Sequence, residues 1–81
     1  MATKQEKTRA LIAQKLNLDE SEITPEKSLT NDLGADSLDV VEVAMMLERE
    51  FNVKFDESET EKIQTVNDLY ELIETHTKKT K

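Results

Sequence analysis

The chain has 81 residues, a formal net charge of −7 and no cysteine. That length fits one small domain with a thin core and leaves little room for a deep catalytic cleft. The lack of cysteine excludes disulfides, thiolate metal sites and a cysteine nucleophile, and it suits a reducing compartment.

Met1 to Arg9 is polar and basic, without the apolar run of a secretory signal. No later stretch approaches the length needed to span a bilayer. A cytoplasmic protein without stable membrane insertion is expected, or an organellar one if a transit peptide was removed. Thr3 followed by Glu6 predicts a capping box at the start of the first helix, and Leu11, Ile12 and Leu16 continue it at helical spacing. Asn17, a residue that tolerates left-handed backbone, is the expected stop.

The only proline and the only glycine fall in the segment that follows. Residues 18 to 36 carry Asp19, Ser21, Pro25, Ser28, Asn31, Asp32 and Gly34, which are turn and breaker residues. So long a loop needs anchors in a compact domain, and Ile23, Leu29 and Leu33 are the candidates.

The second helix is predicted over Ser37 to Phe51. A short third helix begins near Asp56 or Ser58, with Glu59 or Glu61 three residues on. The last begins after Thr65, with Asp68 completing a capping box. It carries Val66, Leu69, Tyr70, Leu72 and Ile73 inward. The polar tail from Thr75 to Lys81 is expected to fray. The fold class is therefore all-α: a small four-helix bundle of three longer helices and one short one, with a long loop between the first two. Residues 1–81 form a single domain.

The second helix has two apolar faces. At about 100° per residue, Val40, Val43, Ala44, Leu47 and Phe51 fall on one side, an ordinary core stripe. Leu38, Val41 and Met45 fall on the opposite side, beside Glu42, Glu48 and Arg49. If the helix is sandwiched, both stripes are core. If it lies on the surface, the second is an exposed apolar strip rimmed by carboxylates, a composition suited to docking basic protein surfaces. Nine acids stand between Asp36 and Glu61 (Asp36, Asp39, Glu42, Glu48, Glu50, Asp56, Glu57, Glu59 and Glu61) against Arg49 and Lys54, with Lys62 just beyond. Such a surface repels nucleic acid and attracts basic partners, unless it serves only solubility.

Ser37 stands at or next to the start of this helix, after a turn that Gly34 allows. Free backbone amides and the positive end of the helix dipole would favour a phosphate on its hydroxyl. A serine there is also an ordinary N-cap, as is Asp36. It lacks the partners of a nucleophile: the only histidine, His76, falls in the expected tail, and there is no Gly-x-Ser-x-Gly elbow. The spacing of Asp32, Asp36 and Asp39 does not match a calcium-binding loop. Any chemistry at Ser37 would have to be installed by another enzyme, and no catalytic residue or metal site is assigned.

The run Asp32-Leu33-Gly34-Ala35-Asp36-Ser37-Leu38-Asp39, then Val41-Glu42 and Leu47-Glu48-Arg49-Glu50-Phe51, resembles the acyl carrier protein family. It is most similar to the free-standing carriers of bacterial-type fatty acid synthesis. From average residue usage, Leu-Gly-x-Asp-Ser-Leu arises by accident in a chain this long on the order of one time in a thousand or less. Glu61-Lys62-Ile63 and Thr65-Val66 extend the likeness, as does the order of helices.

The resemblance implies that Ser37 receives 4'-phosphopantetheine from coenzyme A through a phosphopantetheinyl transferase. It implies that acyl groups ride on the arm's thiol as thioesters, passed among fatty acid synthesis enzymes with basic docking surfaces. Asp36, Leu38, Asp39, Val41, Glu42, Met45 and Glu48 would then contact partners. Val40, Val43, Leu47, Phe51, Ile63 and Leu69 would line an acyl pocket. A monomer is expected. Arg49 departs from the family in interrupting the acidic rim, and Leu69 stands where a smaller residue is common, which would shorten the pocket. Met46 adds an apolar residue near Asp39 that the resemblance does not explain. Two other functions remain: an aminoacyl or polyketide carrier, against which the lack of a Gly-Gly pair before the motif argues, and an acidic interaction module with no covalent arm.

Overall fold

A computed structural model describes residues 3–78. Four helices follow in order: α1 (Lys4–Leu16), α2 (Ser37–Phe51), α3 (Glu57–Glu61) and α4 (Val66–Lys78). A single 3-10 turn, Glu20–Glu22, interrupts the long loop. There is no strand among the described residues, only an isolated antiparallel bridge between Ser28 and Thr65. The architecture is the all-α bundle expected, with three longer helices and one short one.

Local chemistry sets the helix ends. Thr3 Oγ1 accepts the Glu6 N–H at 3.1 Å, and Glu6 Oε1 accepts the Thr3 N–H at 3.1 Å, closing the α1 capping box. Asn17 and Asn52 end α1 and α2 with φ of 61° and 56°, the left-handed conformation that asparagine adopts more readily than most residues. Thr65 and Asp68 cap α4 reciprocally, at 3.0 and 3.2 Å.

The core is built where α1, α2 and α4 meet. Ile12, Leu47, Val66 and Leu69 are fully enclosed, with Val43 and Ile73 beside them. Thr8 is equally enclosed, and its hydroxyl donates to the Lys4 carbonyl at 2.8 Å, so burial leaves no unpaired polar atom there. Ile23 and Leu29 plug the long loop into this core, while Leu33 is only half-buried. Backbone bonds stitch the loop to the segment before α4: Leu29 N–H to the Gln64 carbonyl (2.9 Å) and Val66 N–H to the Lys27 carbonyl (3.1 Å).

One expectation fails. α4 does not fray at Thr75 but continues through Lys78. The Thr77 hydroxyl donates to the Ile73 carbonyl at 2.7 Å and accepts from Lys4 Nζ at 2.9 Å, which ties the last turn to α1. His76 is packed rather than trailing, as described below. Residues 79–81 of the expected tail lie outside the described residues.

Candidate functional site

Gly34 has φ of +78°, a conformation that costs a glycine little and most residues more. The turn delivers Ala35 into the core and brings Asp36 to the N-cap of α2. Asp36 Oδ1 accepts the Asp39 N–H at 2.9 Å, and Asp39 Oδ2 accepts the Asp36 N–H at 3.3 Å. The cap role therefore belongs to Asp36. Ser37 is the first helical residue, exposed, and its hydroxyl is engaged by no described residue. The first amides of the helix, those of Ser37 and Leu38, have no intrahelical acceptor. An exposed hydroxyl beside free amides at the positive end of a helix fits a phosphodiester.

A groove of about 450 Å³ opens beside Ser37. Its lining comes from three places: Thr30 of the loop, Ser37, Val40 and Val41 of α2, and Glu57, Thr60, Glu61 and Ile63 of α3 and its end. Of the six residues expected around an acyl chain, Val40 and Ile63 line this groove. Val43, Leu47 and Leu69 are instead enclosed in the core, and Phe51 is half-buried against it. The groove-lining Thr30, Glu57, Thr60 and Glu61 carry no signal of their role in the sequence, because segments distant in the chain assemble them. A second depression of about 300 Å³ lies between α3 and α4, on another side of Ile63. Its lining is mixed, with the charged Glu59, Lys62, Asp68 and Glu71 around Ile63, Leu72 and Thr75.

The two faces of α2 resolve as different surfaces. Val40, Val43, Ala44 and Leu47 are buried, whereas Leu38, Val41 and Met45 are 64%, 42% and 51% exposed. The second stripe is therefore not core. Its acids are partly occupied within the chain. Glu42 pairs with Lys15 of α1. Glu48 Oε2 accepts the Phe55 N–H at 2.7 Å, which fixes the segment leading to α3. The Lys15 ammonium is held above its ordinary lysine range, first by the hydrogen bond it donates to Glu42 and then, against some desolvation, by the charges of Glu42, Asp39 and Asp36. Arg49 is exposed in the last turn of α2, where its charge suits the negative end of the helix dipole.

No imidazole lines the groove; His76 stands on the α4 side of α3, its Nε2 3.0 and 3.1 Å from the two Glu59 oxygens. Among the described residues no group of three or more His, Cys, Asp or Glu side chains could hold a metal ion, and no helix is long and apolar enough to cross a membrane.

Comparison with known proteins agrees with this geometry. The family profile for the phosphopantetheine attachment site matches residues 6–73. An acyl carrier protein of Thermotoga maritima is 48% identical over 77 residues, covering 91% of this chain and 95% of that protein. Among solved structures, a Mycobacterium tuberculosis chain assigned as an acyl carrier protein superposes with a TM-score of 0.86 at 32% identity, covering 90% of this chain and 97% of that one. The crystal structure of an acyl carrier protein from Thermotoga maritima gives a TM-score of 0.81 at 27% identity, covering 93% and 87%.

Proposed function

We propose that this chain, which belongs to the acyl carrier protein family, carries the acyl intermediates of fatty acid synthesis on a phosphopantetheine group esterified to Ser37. Members of the family are carriers rather than catalysts, and they hold 4'-phosphopantetheine covalently. When bound, that group supplies a terminal thiol on which acyl chains ride as thioesters. The single observation that carries the assignment to Ser37 is its hydroxyl: exposed, free of the cap that Asp36 provides, and at the mouth of a groove with an apolar floor.

The chain's own residues then have three tasks. Ser37 and Leu38 would offer their free backbone amides to the phosphodiester when the group is bound. Val40, Val41 and Ile63 offer the apolar wall against which an acyl chain lies. Leu38, Val41 and Met45 form the centre of a docking face, and Asp36, Asp39, Glu42 and Glu48 its acidic rim. Weak contacts steered by charge let one carrier visit a transferase and a series of synthesis enzymes in turn. The covalent tether keeps the cargo at high effective concentration at each stop.

The reading is tested by supplying the phosphopantetheinylated protein as the only carrier in a reconstituted bacterial fatty acid synthesis system. Acyl chains lengthened in two-carbon steps should accumulate on it, read by mass. Loading of an amino acid by an adenylating enzyme, with no elongation, would instead favour the aminoacyl carrier.

A further inference from the structure

The exposed apolar stripe of α2 runs into a cation. At about 100° per residue, Arg49 falls within about 40° of Met45 and about 20° of Leu38, one turn beyond Met45 on the midline of the stripe. It is exposed, and its guanidinium pairs with no carboxylate among the described residues. The acids nearest to it in the helix are taken. Glu48 Oε2 accepts the Phe55 N–H at 2.7 Å, Glu50 Oε2 lies 3.8 Å from Lys7 Nζ of α1, and Glu42 pairs with Lys15. At the other end of the stripe, Asp36 and Asp39 accept each other's amides but form no ion pair with a described residue. A helix rises about 1.5 Å per residue, so Asp39 and Arg49 stand about 15 Å apart along the axis. Beside Met45 the surface is hollow: Met45, Glu48, Arg49, Asn52 and Val53 line a depression of about 450 Å³. The helix dipole favours a cation anywhere in the last turn, but it does not select the outward midline.

We infer that Arg49 is a specificity residue of the docking face: it pairs with a carboxylate on a partner enzyme, which seats an apolar side chain in the depression against Met45 and Val53 and brings a basic residue to Asp36 and Asp39 near Ser37. The face is polarised along α2, negative at the Ser37 end and positive at the Asn52 end. A partner with the opposite order fits in one direction only. Turned around, its acid meets Asp36 and Asp39 and its base meets Arg49, which puts two repulsions in place of two attractions. The charge order therefore fixes which part of the partner lies over Ser37. An enzyme surface that is basic throughout loses at Arg49 part of what it gains at Asp36 and Asp39. A second copy of this chain is a poor occupant, because each chain carries a net charge of −7.

Pairing at Arg49 rests on the reading of Leu38, Val41 and Met45 as a docking face, so Met45→Glu is measured alongside. For the phosphopantetheinyl transferase of the same organism, kcat/KM is measured with the unmodified chain; for its fatty acid synthesis enzymes, with the phosphopantetheinylated chain. Salt is held at about 50 mM, where screening is weak. For at least one enzyme that Met45→Glu slows, Arg49→Glu should lower kcat/KM about five- to tenfold and Arg49→Gln about threefold, the ratios expected for reversing or removing one exposed ion pair. Arg49→Lys should keep most of the rate, and salt at about 0.5 M should erase the differences. In that enzyme, one surface Asp or Glu changed to Lys should restore Arg49→Glu and slow the wild-type chain. Arg49 is exposed, so urea unfolding of the three variants should stay near that of the wild type. Arg49→Glu at or above the wild-type rate with every enzyme that Met45→Glu slows, or a loss that no such charge swap restores, would overturn the proposal. Met45→Glu without effect on any enzyme would instead remove the docking face itself, and the pairing with it.

Discussion

Met45→Glu separates docking from folding. The Met45 side chain is 51% exposed, and full burial of a methionine contributes about 1.5–3 kcal/mol, so its folded-state contacts are worth only about 1 kcal/mol. Glutamate and methionine have similar helix propensity. A carboxylate at this position stands four residues before Arg49, which attracts it, and three residues from Glu42 and Glu48, which repel it. Each such pair is worth about 0.2–0.5 kcal/mol, so one repulsive pair of that size remains after the attraction is set against the two repulsions. Unfolding free energy in urea should therefore fall by less than about 2 kcal/mol. At a docked partner the same change places a charge within an apolar contact, a cost of about 2 kcal/mol. The rate of phosphopantetheine transfer at sub-saturating protein should then drop about 30-fold. A stability loss well above 2 kcal/mol would mean the stripe belongs to the core. Unchanged transfer with unchanged stability would mean that partners do not use it.

Leu47→Ala is the counterpart on the buried face: Leu47 is 0% exposed, so urea unfolding should show a loss of about 2–5 kcal/mol. Asp36→Ala should cost about 1 kcal/mol by removing the N-cap, while Asp36→Asn should keep the cap and lose only the charge. Slower transfer in Asp36→Asn at unchanged stability would show the charge acting on partners. Burial pushes the Tyr70 phenol above its ordinary range, with the Arg9 guanidinium partly opposing. A raised folded-state value means the unfolded chain ionises first, so stability is present below about pH 10 and falls as pH rises through the folded value. Tyr70→Phe should flatten that fall in urea midpoints measured from pH 9 to 11. The Lys15 ammonium, also raised, acts in the same direction, so Lys15→Met should flatten part of what remains.

Much of this fold is readable from local chemistry. The α2 span, Ser37 to Phe51, follows from Asp36 before it and Asn52 after it, and the α1 and α4 starts follow from Thr3–Glu6 and Thr65–Asp68. Each is decided by residues within one turn. The exposed stripe of α2 is legible as a second apolar face, but only tertiary packing decides that Leu38, Val41 and Met45 stay outside. What local pattern misses depends on distant partners. His76 looks like part of a polar tail because its neighbours are Thr75, Thr77 and Lys78; its anchors, Phe55 and Glu59, are far away in sequence. Glu42 and Glu48 look like free rim acids, yet Lys15 and the Phe55 amide occupy them. The groove draws on the long loop, α2 and α3, and no periodicity links Thr30 to Thr60.

The mass of the intact protein tests whether Ser37 is the attachment point. Incubated with coenzyme A and a broad-range phosphopantetheinyl transferase, the wild-type chain should gain the mass of one phosphopantetheine, and Ser37→Ala should gain nothing. No gain in the wild-type chain, or a gain that persists in Ser37→Ala, would show that Ser37 does not carry the arm.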